Sequence, residues 1–206
     1  MSKKRPTVKE VAAKSRAPIT AFPASTLIVP PAAYPRAQRV KLLVFDVDGV
    51  LTDGGLNYGP DGEVFKRFDV KDGHAFVMAR LVGLPTGVLT ARTSKIVETR
   101  MRELGVAHVV QGEKQKGPAF LKLCGEAGLE PQEVAYMGDD VNDLAPLSLA
   151  GLAACPSDAV ADVRAAYQFV SSKPGGRGAA RALIELVLKL RGLWPNALAA
   201  ERGPGG

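Results

Sequence analysis

The chain has 206 residues, of which 46% are hydrophobic, and this is enough apolar material for a substantial core in one domain with extensions. The net charge of +6 resides in the N-terminal segment, because residues 1–39 hold eight Lys/Arg and one acidic residue, whereas the rest holds 19 basic and 20 acidic residues. That remainder has no basic bias toward a nucleic-acid backbone, and no apolar run reaches the ~18–20 residues of a membrane span. Cys124 and Cys155 lack metal-site spacing and predict reduced thiols in a cytoplasmic protein.

Residues 1–39 are predicted to form a flexible, basic, Pro-rich extension, because six prolines preclude any long regular element. Within it, residues 5–14 have the pattern of a helix with Thr7 as N-cap. This stretch resembles the first helix of bacterial repressor helix-turn-helix domains, but Pro18 and Pro23 interrupt the place of the recognition helix. A flexible leader is the favoured interpretation, and DNA binding through residues 5–26 remains an alternative.

The first strong pattern is the nearly unbroken apolar run at residues 40–45, interrupted by Lys41, which predicts a strand buried on both faces. Asp46 and Asp48 follow where this strand ends, and Gly49 permits a sharp turn. Alternate residues of an extended segment point the same way, so the two carboxylates face one small volume. Carboxylates that close need a cation or a shared proton. The sequence therefore predicts a metal or acid/base site at this strand end.

The remaining chain alternates between strand and helix patterns. A β-hairpin is predicted over residues 56–68, and strands over 86–90, 107–110, 134–137, 152–154 and 169–170. Helices are predicted over residues 75–82, 95–104, 118–127, 142–150, about 159–166 and 179–190. This alternation indicates an α/β domain over residues 40–194, with a parallel sheet covered by helices on both faces. Residues 195–206 are predicted to be a flexible tail.

Four strand ends carry candidate chemical groups: Asp46 with Asp48, Thr90, Lys116, and Asp139 with Asp140 and Asp143. Each alone is ordinary for a turn, a cap or a solvated surface. Together they lie at one edge of one sheet and supply a nucleophile, a proton donor, oxygen ligands for a hard cation, and positive charge for a phosphate. The set indicates phosphoryl transfer through a carboxylate.

These residues resemble the four motifs of the haloacid dehalogenase superfamily of phosphatases. DVDGVLTDG at residues 46–54 matches motif one, Thr90 motif two, Lys116 motif three, and GDDVNDL at residues 138–144 motif four. The resemblance implies a Rossmann-like fold in which Thr90 and Lys116 hold the phosphate oxygens.

It also implies the roles of the acidic residues. Asp46 becomes the aspartyl-phosphate, and Asp48 protonates the leaving oxygen and later activates water. Mg²⁺ is implied as the cofactor, bound by Asp46, the backbone carbonyl of Asp48, and Asp139. Asp140 and Asp143 support that set of ligands.

The gaps between motifs hold only a small hairpin and single helices, so no cap domain is expected. The chain resembles the capless (C0) subfamily of 3-deoxy-D-manno-octulosonate 8-phosphate (KDO 8-phosphate) phosphatases, which act in lipopolysaccharide precursor synthesis. This implies a homotetramer whose Gly-rich C-terminal segment reaches a neighbour's site, and substrate contacts from Asp72, Arg92 and Arg177. Ala91 departs from the usual Gly of motif two. The alternatives are a phosphatase of another sugar phosphate, such as KDN 9-phosphate, and an idle oligomerisation module.

Overall fold

The computed structural model describes residues 31–202, so the predicted helix at residues 5–14 lies outside the described residues. The strands are β1 Leu42–Phe45, β2 Asn57–Gly59, β3 Gly62–Phe65, β4 Thr86–Leu89, β5 His108–Val110, β6 Val134–Met137, β7 Leu152–Cys155 and β8 Phe169–Val170. The helices are α1 Ala33–Arg39, α2 Val70–Leu81, α3 Lys95–Leu104, α4 Lys116–Glu126, α5 Leu144–Leu149, α6 Ala161–Ala166, α7 Ala179–Leu190 and α8 Trp194–Arg202, with 3₁₀ turns at Pro131–Glu133 and Val141–Asp143.

Six of the strands form a parallel sheet in the order β5-β4-β1-β6-β7-β8. β1 lies inside the sheet, and Phe45 pairs with Val88 of β4 on one side and Met137 of β6 on the other. All four residues of β1 are buried, as expected for a strand with helices on both faces. Because β4, β1 and β6 are parallel neighbours, the loops that follow them meet at one edge of the sheet.

The two faces of the sheet carry separate apolar layers, since alternate strand residues point to opposite sides. Phe45 and Met137 face the layer that contains residues of α1, α2, α3, α7 and α8. Val44 and Tyr136 face the layer that contains residues of α4, α5 and α6. The predicted α/β fold with helices on both faces is confirmed.

The only insertion between β1 and α2 with regular structure, in the part of the chain described here, is the antiparallel hairpin of β2 and β3. Between β4 and α4 lie only α3 and β5. The expected lack of a cap domain therefore holds for residues 31–202. Over the same range, none of the helices has the length and apolar character that crossing a bilayer requires.

Three helices differ from the sequence prediction. α1 forms within the predicted extension, because Pro35 occupies its first turn, where a missing N–H costs nothing, and Ala37 is buried against the domain. α8 forms where a frayed tail was predicted, and it buries Trp194. α2 begins five residues earlier than predicted, because the Asp69 carboxylate accepts hydrogen bonds from the backbone N–H groups of Lys71 and Asp72. The domain boundaries themselves remain a prediction.

Candidate active site

A buried cluster of one ammonium and three carboxylates lies at the carboxyl edge of the sheet. Oxygens of Asp46, Asp139 and Asp143 lie within 4.8 Å of one another. Lys116 Nζ is 2.8 Å from Asp46 Oδ2 and 2.7 Å from Asp143 Oδ1, and the Lys116 side chain is 1% exposed. The structure thus brings together predicted residues from the ends of β1 and β6 and from the start of α4.

Asp143 holds the cluster together through both of its carboxylate oxygens. Its Oδ1 accepts hydrogen bonds from Lys116 Nζ and from the Tyr136 hydroxyl, both at 2.7 Å. Its Oδ2 accepts from the backbone N–H groups of Asp139 at 3.1 Å and Asp140 at 3.4 Å. The sequence analysis did not identify Tyr136, because its position in a buried apolar strand gave no sign of a polar contact. The Asp140 side chain accepts from the backbone N–H of Val141 and so caps the adjoining 3₁₀ turn.

Burial and crowding of like charges shift the pKa values of the cluster. Burial, followed by the charge of Asp143, raises the pKa of Asp46 to about 7 although Lys116 opposes the shift. Burial and the charges of Asp46 and Asp143 likewise raise the pKa of Asp139 to about 7. Burial alone would lower the pKa of Lys116, but the neighbouring Asp46 and Asp143 outweigh it, and the net shift is upward. When all four groups are ionised, the cluster carries three negative charges and one positive charge, a net charge of −2.

The residues fit a divalent cation. Within residues 31–202, Asp46 Oδ1 is buried and has no hydrogen-bond partner, so an acceptor oxygen is left for another group. Asp139 has room beside the motif-one loop because Gly49 has no side chain. A Cβ at Gly49 would lie 2.0 Å from Asp139 Oδ2, and the φ of +93° at Gly49 also favours glycine. Carboxylate oxygens are the ligands that Mg²⁺ prefers. Asp46 and Asp139 would hold Mg²⁺ here, and Asp143 borders the same volume.

The Asp48 side chain belongs to a different set of contacts. Its carboxylate makes a short ion pair with Lys66 and lies 3.6 Å from Arg92 Nε. Lys66 Nζ is also 2.9 Å from Glu63 Oε1, and the Lys66 side chain is 1% exposed. Lys66 and Glu63 were not identified from the sequence, because the register of the hairpin was uncertain and these contacts depend on it.

Two predicted phosphate and substrate residues lie beside these contacts. Thr90 is buried, and its hydroxyl oxygen accepts a hydrogen bond from the backbone N–H of Arg92 at 3.4 Å. The Arg92 guanidinium donates to the Tyr58 hydroxyl on the hairpin and is partly exposed. Arg92 therefore lies at the solvent side of the site, between motif two and the hairpin.

The structure does not bring Asp72 into the cluster. Asp72 is 3% exposed, and its oxygens accept hydrogen bonds from the backbone N–H groups of Gly178 at 2.9 Å and Arg181 at 2.7 Å. It therefore caps the start of α7. The sequence prediction missed this contact because it began α2 at residue 75, after Asp72. Arg177, in the same turn, is exposed and close enough to help lower the pKa of Asp53, after larger effects from Gly55 and Arg67.

The Gly-rich segment that precedes α7 lies against the motif-one loop of its own chain. Gly176 N–H donates to the Val50 carbonyl at 2.9 Å. A Cβ at Gly175 would lie 1.8 Å from the Gly49 carbonyl oxygen. Residues 175–176 thus support the loop that carries Asp48.

The chain is similar in sequence to known hydrolases. Residues 88–183 match the family model of haloacid dehalogenase-like hydrolases. The chain is 36% identical over 164 residues to the 3-deoxy-D-manno-octulosonate 8-phosphate phosphatase KdsC of Salmonella typhimurium. The aligned segment covers 80% of this chain and 87% of that relative.

Two solved structures of such phosphatases superpose well. The enzyme from Moraxella catarrhalis, in complex with magnesium ion, phosphate ion and KDO, gives a TM-score of 0.79 at 34% identity, covering 82% of this chain and 97% of that one. The cobalt-bound form of the enzyme from Haemophilus influenzae gives a TM-score of 0.75 at 35% identity, covering 76% and 92%.

Proposed function

This chain belongs to the haloacid dehalogenase-like hydrolases, in the family of the KDO 8-phosphate phosphatases, and from that membership we propose that it is a Mg²⁺-dependent phosphomonoesterase. Its substrate is KDO 8-phosphate, which it hydrolyses to KDO and phosphate. The observation that carries the proposal is the buried cluster in which Lys116 lies 2.8 Å from Asp46 and 2.7 Å from Asp143. The relatives named for this substrate, and the Moraxella catarrhalis structure with magnesium, phosphate and KDO, support it.

In the proposed reaction, an Asp46 carboxylate oxygen attacks the phosphorus atom, and the bond from phosphorus to the C8 oxygen of the sugar breaks. Asp48 gives its proton to that departing oxygen. Water then attacks the aspartyl-phosphate, Asp48 takes the proton of the water, and phosphate and the Asp46 carboxylate are released. Bound Mg²⁺ supplies positive charge that lets a phosphate dianion approach these carboxylates.

The other predicted residues are assigned to holding the substrate. Lys116 and Thr90 contact the phosphate oxygens. Arg92 and Arg177 recognise the sugar carboxylate, because a guanidinium binds a carboxylate through two parallel hydrogen bonds. Arg92 is partly exposed beside Asp48 and Arg177 is exposed, and this accessibility to a substrate supports the assignment.

The proposal includes a homotetramer in the cytoplasm, acting in lipopolysaccharide precursor synthesis. Tyr58, Val64 and Phe65 of the hairpin are 60%, 61% and 54% exposed. A cluster of large apolar side chains on a surface hairpin supports contact with other subunits.

The test is phosphate release from KDO 8-phosphate, measured beside KDN 9-phosphate and simple sugar phosphates, with Mg²⁺ or with EDTA. Asp46→Asn serves as the blank, because an amide cannot act as the nucleophile. A strong preference for KDO 8-phosphate that is lost in EDTA and in the variant supports the proposal. Equal rates on all sugar phosphates would contradict the substrate, and no release from any of them would contradict the enzymatic function.

A further inference from the structure

We propose that Lys66 is a positioning residue that holds the Asp48 carboxylate in place to exchange a proton with the departing sugar oxygen. This inference rests on the proposed function, in which Asp48 is the general acid and base. It assigns a role to the hairpin that follows β1, beyond any contact with other subunits.

The first observation is the burial and pairing of Lys66. The residue directly follows β3, yet its side chain is 1% exposed and lies between the carboxylates of Asp48 and Glu63. A lysine side chain has a flexible stem and three donors, so the two carboxylates that bind its ammonium restrict its orientation here. Burial alone would lower the pKa of Lys66, but the hydrogen bonds that its ammonium donates to Asp48 and Glu63 give a net upward shift, so the side chain remains charged.

The second observation is that Glu63 is itself fixed to the body of the domain. Its Oε2 accepts a hydrogen bond from the Ser94 hydroxyl. Ser94 is the N-cap residue of α3, and its backbone N–H donates to Gln111 at 2.9 Å. A continuous series of contacts therefore runs from the start of α3 through Ser94, Glu63 and Lys66 to Asp48.

The third observation is charge balance. The Arg92 guanidinium lies 3.6 Å from Asp48 and 3.8 Å from Glu63, so two cations face two carboxylates. Partly buried ion pairs persist when each charge is matched and hydrogen-bonded. Without Lys66, the two carboxylates would share the partly exposed Arg92 as their one remaining cation among the described residues, and their repulsion would turn Asp48 away from its position.

Because Lys66 acts through the proton donor, its loss affects only substrates whose departing oxygen needs a proton. A sugar phosphate releases an alkoxide-like oxygen and needs the acid, whereas p-nitrophenyl phosphate releases a stable phenolate without it. The parameter kcat/KM reports the steps up to cleavage of the phosphorus–oxygen bond, so it isolates this proton transfer from the later hydrolysis of the aspartyl-phosphate.

The experiment compares kcat/KM of wild type, Lys66→Met and Glu63→Gln on KDO 8-phosphate and on p-nitrophenyl phosphate, with Mg²⁺ present. General acids contribute about 10²–10⁴-fold, so Lys66→Met should lose about 10–100-fold on the sugar phosphate and less than about threefold on the aryl phosphate. Glu63→Gln should show the same pattern with a smaller loss, and it serves alone if Lys66→Met does not fold. Lys41→Met is the matched control, because Lys41 forms an exposed ion pair with Glu133 before β1.

Equal losses on both substrates would overturn the proposal, because they would indicate a general structural defect. Unchanged kcat/KM on both would also overturn it. If wild type hydrolyses another alkyl phosphate in place of KDO 8-phosphate, the proposed substrate fails, and the same comparison on that alkyl phosphate still decides the role of Lys66.

Discussion

Replacing Lys116 with Met should nearly abolish phosphatase activity while leaving the fold in place. Methionine keeps the length of the side chain but removes the ammonium that lies 2.8 Å from Asp46 and 2.7 Å from Asp143. Loss of one such preorganised stabiliser commonly lowers kcat by ~10²–10³, which corresponds to about 2.7–4 kcal/mol of transition-state stabilisation. The effect on stability should be smaller than the ~3–5 kcal/mol expected for breaking a buried ion pair, because the carboxyls can take up protons instead.

The assay is phosphate release at saturating Mg²⁺, with thermal unfolding measured in parallel. Lys122→Met is the matched control, because Lys122 lies on the same helix and pairs with Glu126 at 3.9 Å in an exposed position. That control should keep wild-type activity, since exposed pairs are worth about 0.2–1 kcal/mol. If Lys116→Met retained a kcat within about threefold of wild type, the assignment of Lys116 to transition-state charge would be wrong.

Three further outcomes are expected. Folding raises the pKa values of Asp46 and Asp139 from 3.8 to about 7. In the metal-free protein, the stability that these two carboxyl groups contribute is therefore fully present at a pH below their unfolded-state pKa, and it is lost as the pH rises through about 7. Mg²⁺ should therefore raise the Tm more at about pH 8 than at about pH 6, and equal shifts would contradict this. Tyr136→Phe removes a buried hydrogen bond to a carboxylate and should lower the free energy of unfolding by about 1.5–3 kcal/mol in urea titrations, so an unchanged midpoint would count against it. Gly175→Ala should cost about 1–3 kcal/mol and lower activity, because its Cβ meets the backbone of the motif-one loop; Gly125→Ala, which has open space, is the control for the same measurements.

The fold and the centre of the site could be predicted because local sequence determines them. The run that forms β1 is apolar at every position, and this predicts a strand buried on both faces. Parallel strands bring their carboxyl ends to one edge, so Asp46, Lys116, Asp139 and Asp143 could be expected to meet. The structure brings these four groups together.

Contacts between distant segments could not be predicted in the same way. Lys66 reaches Asp48 only because the hairpin folds back over the motif-one loop, and a bulge between Asn57 and Tyr58 sets the register of that hairpin. Asp72 caps a helix more than 100 residues away, which no local pattern records. Helix α8 depends on packing against α2 and α7, so its own sequence resembles a tail.

The central position of β1 has a consequence for folding while the chain is being synthesised. A chain leaving the ribosome presents β1 and β4 first, and the second neighbour of β1 arrives only with residues 134–137. Until then one edge of an entirely apolar strand is open to other chains, as unpaired strand edges are in folding intermediates. The Gly-rich segment that supports the motif-one loop comes still later, at residues 175–176. A nascent or truncated chain that ends before β6 therefore carries Asp46 without Asp139 and Asp143, and its open strand edge exposes it to aggregation.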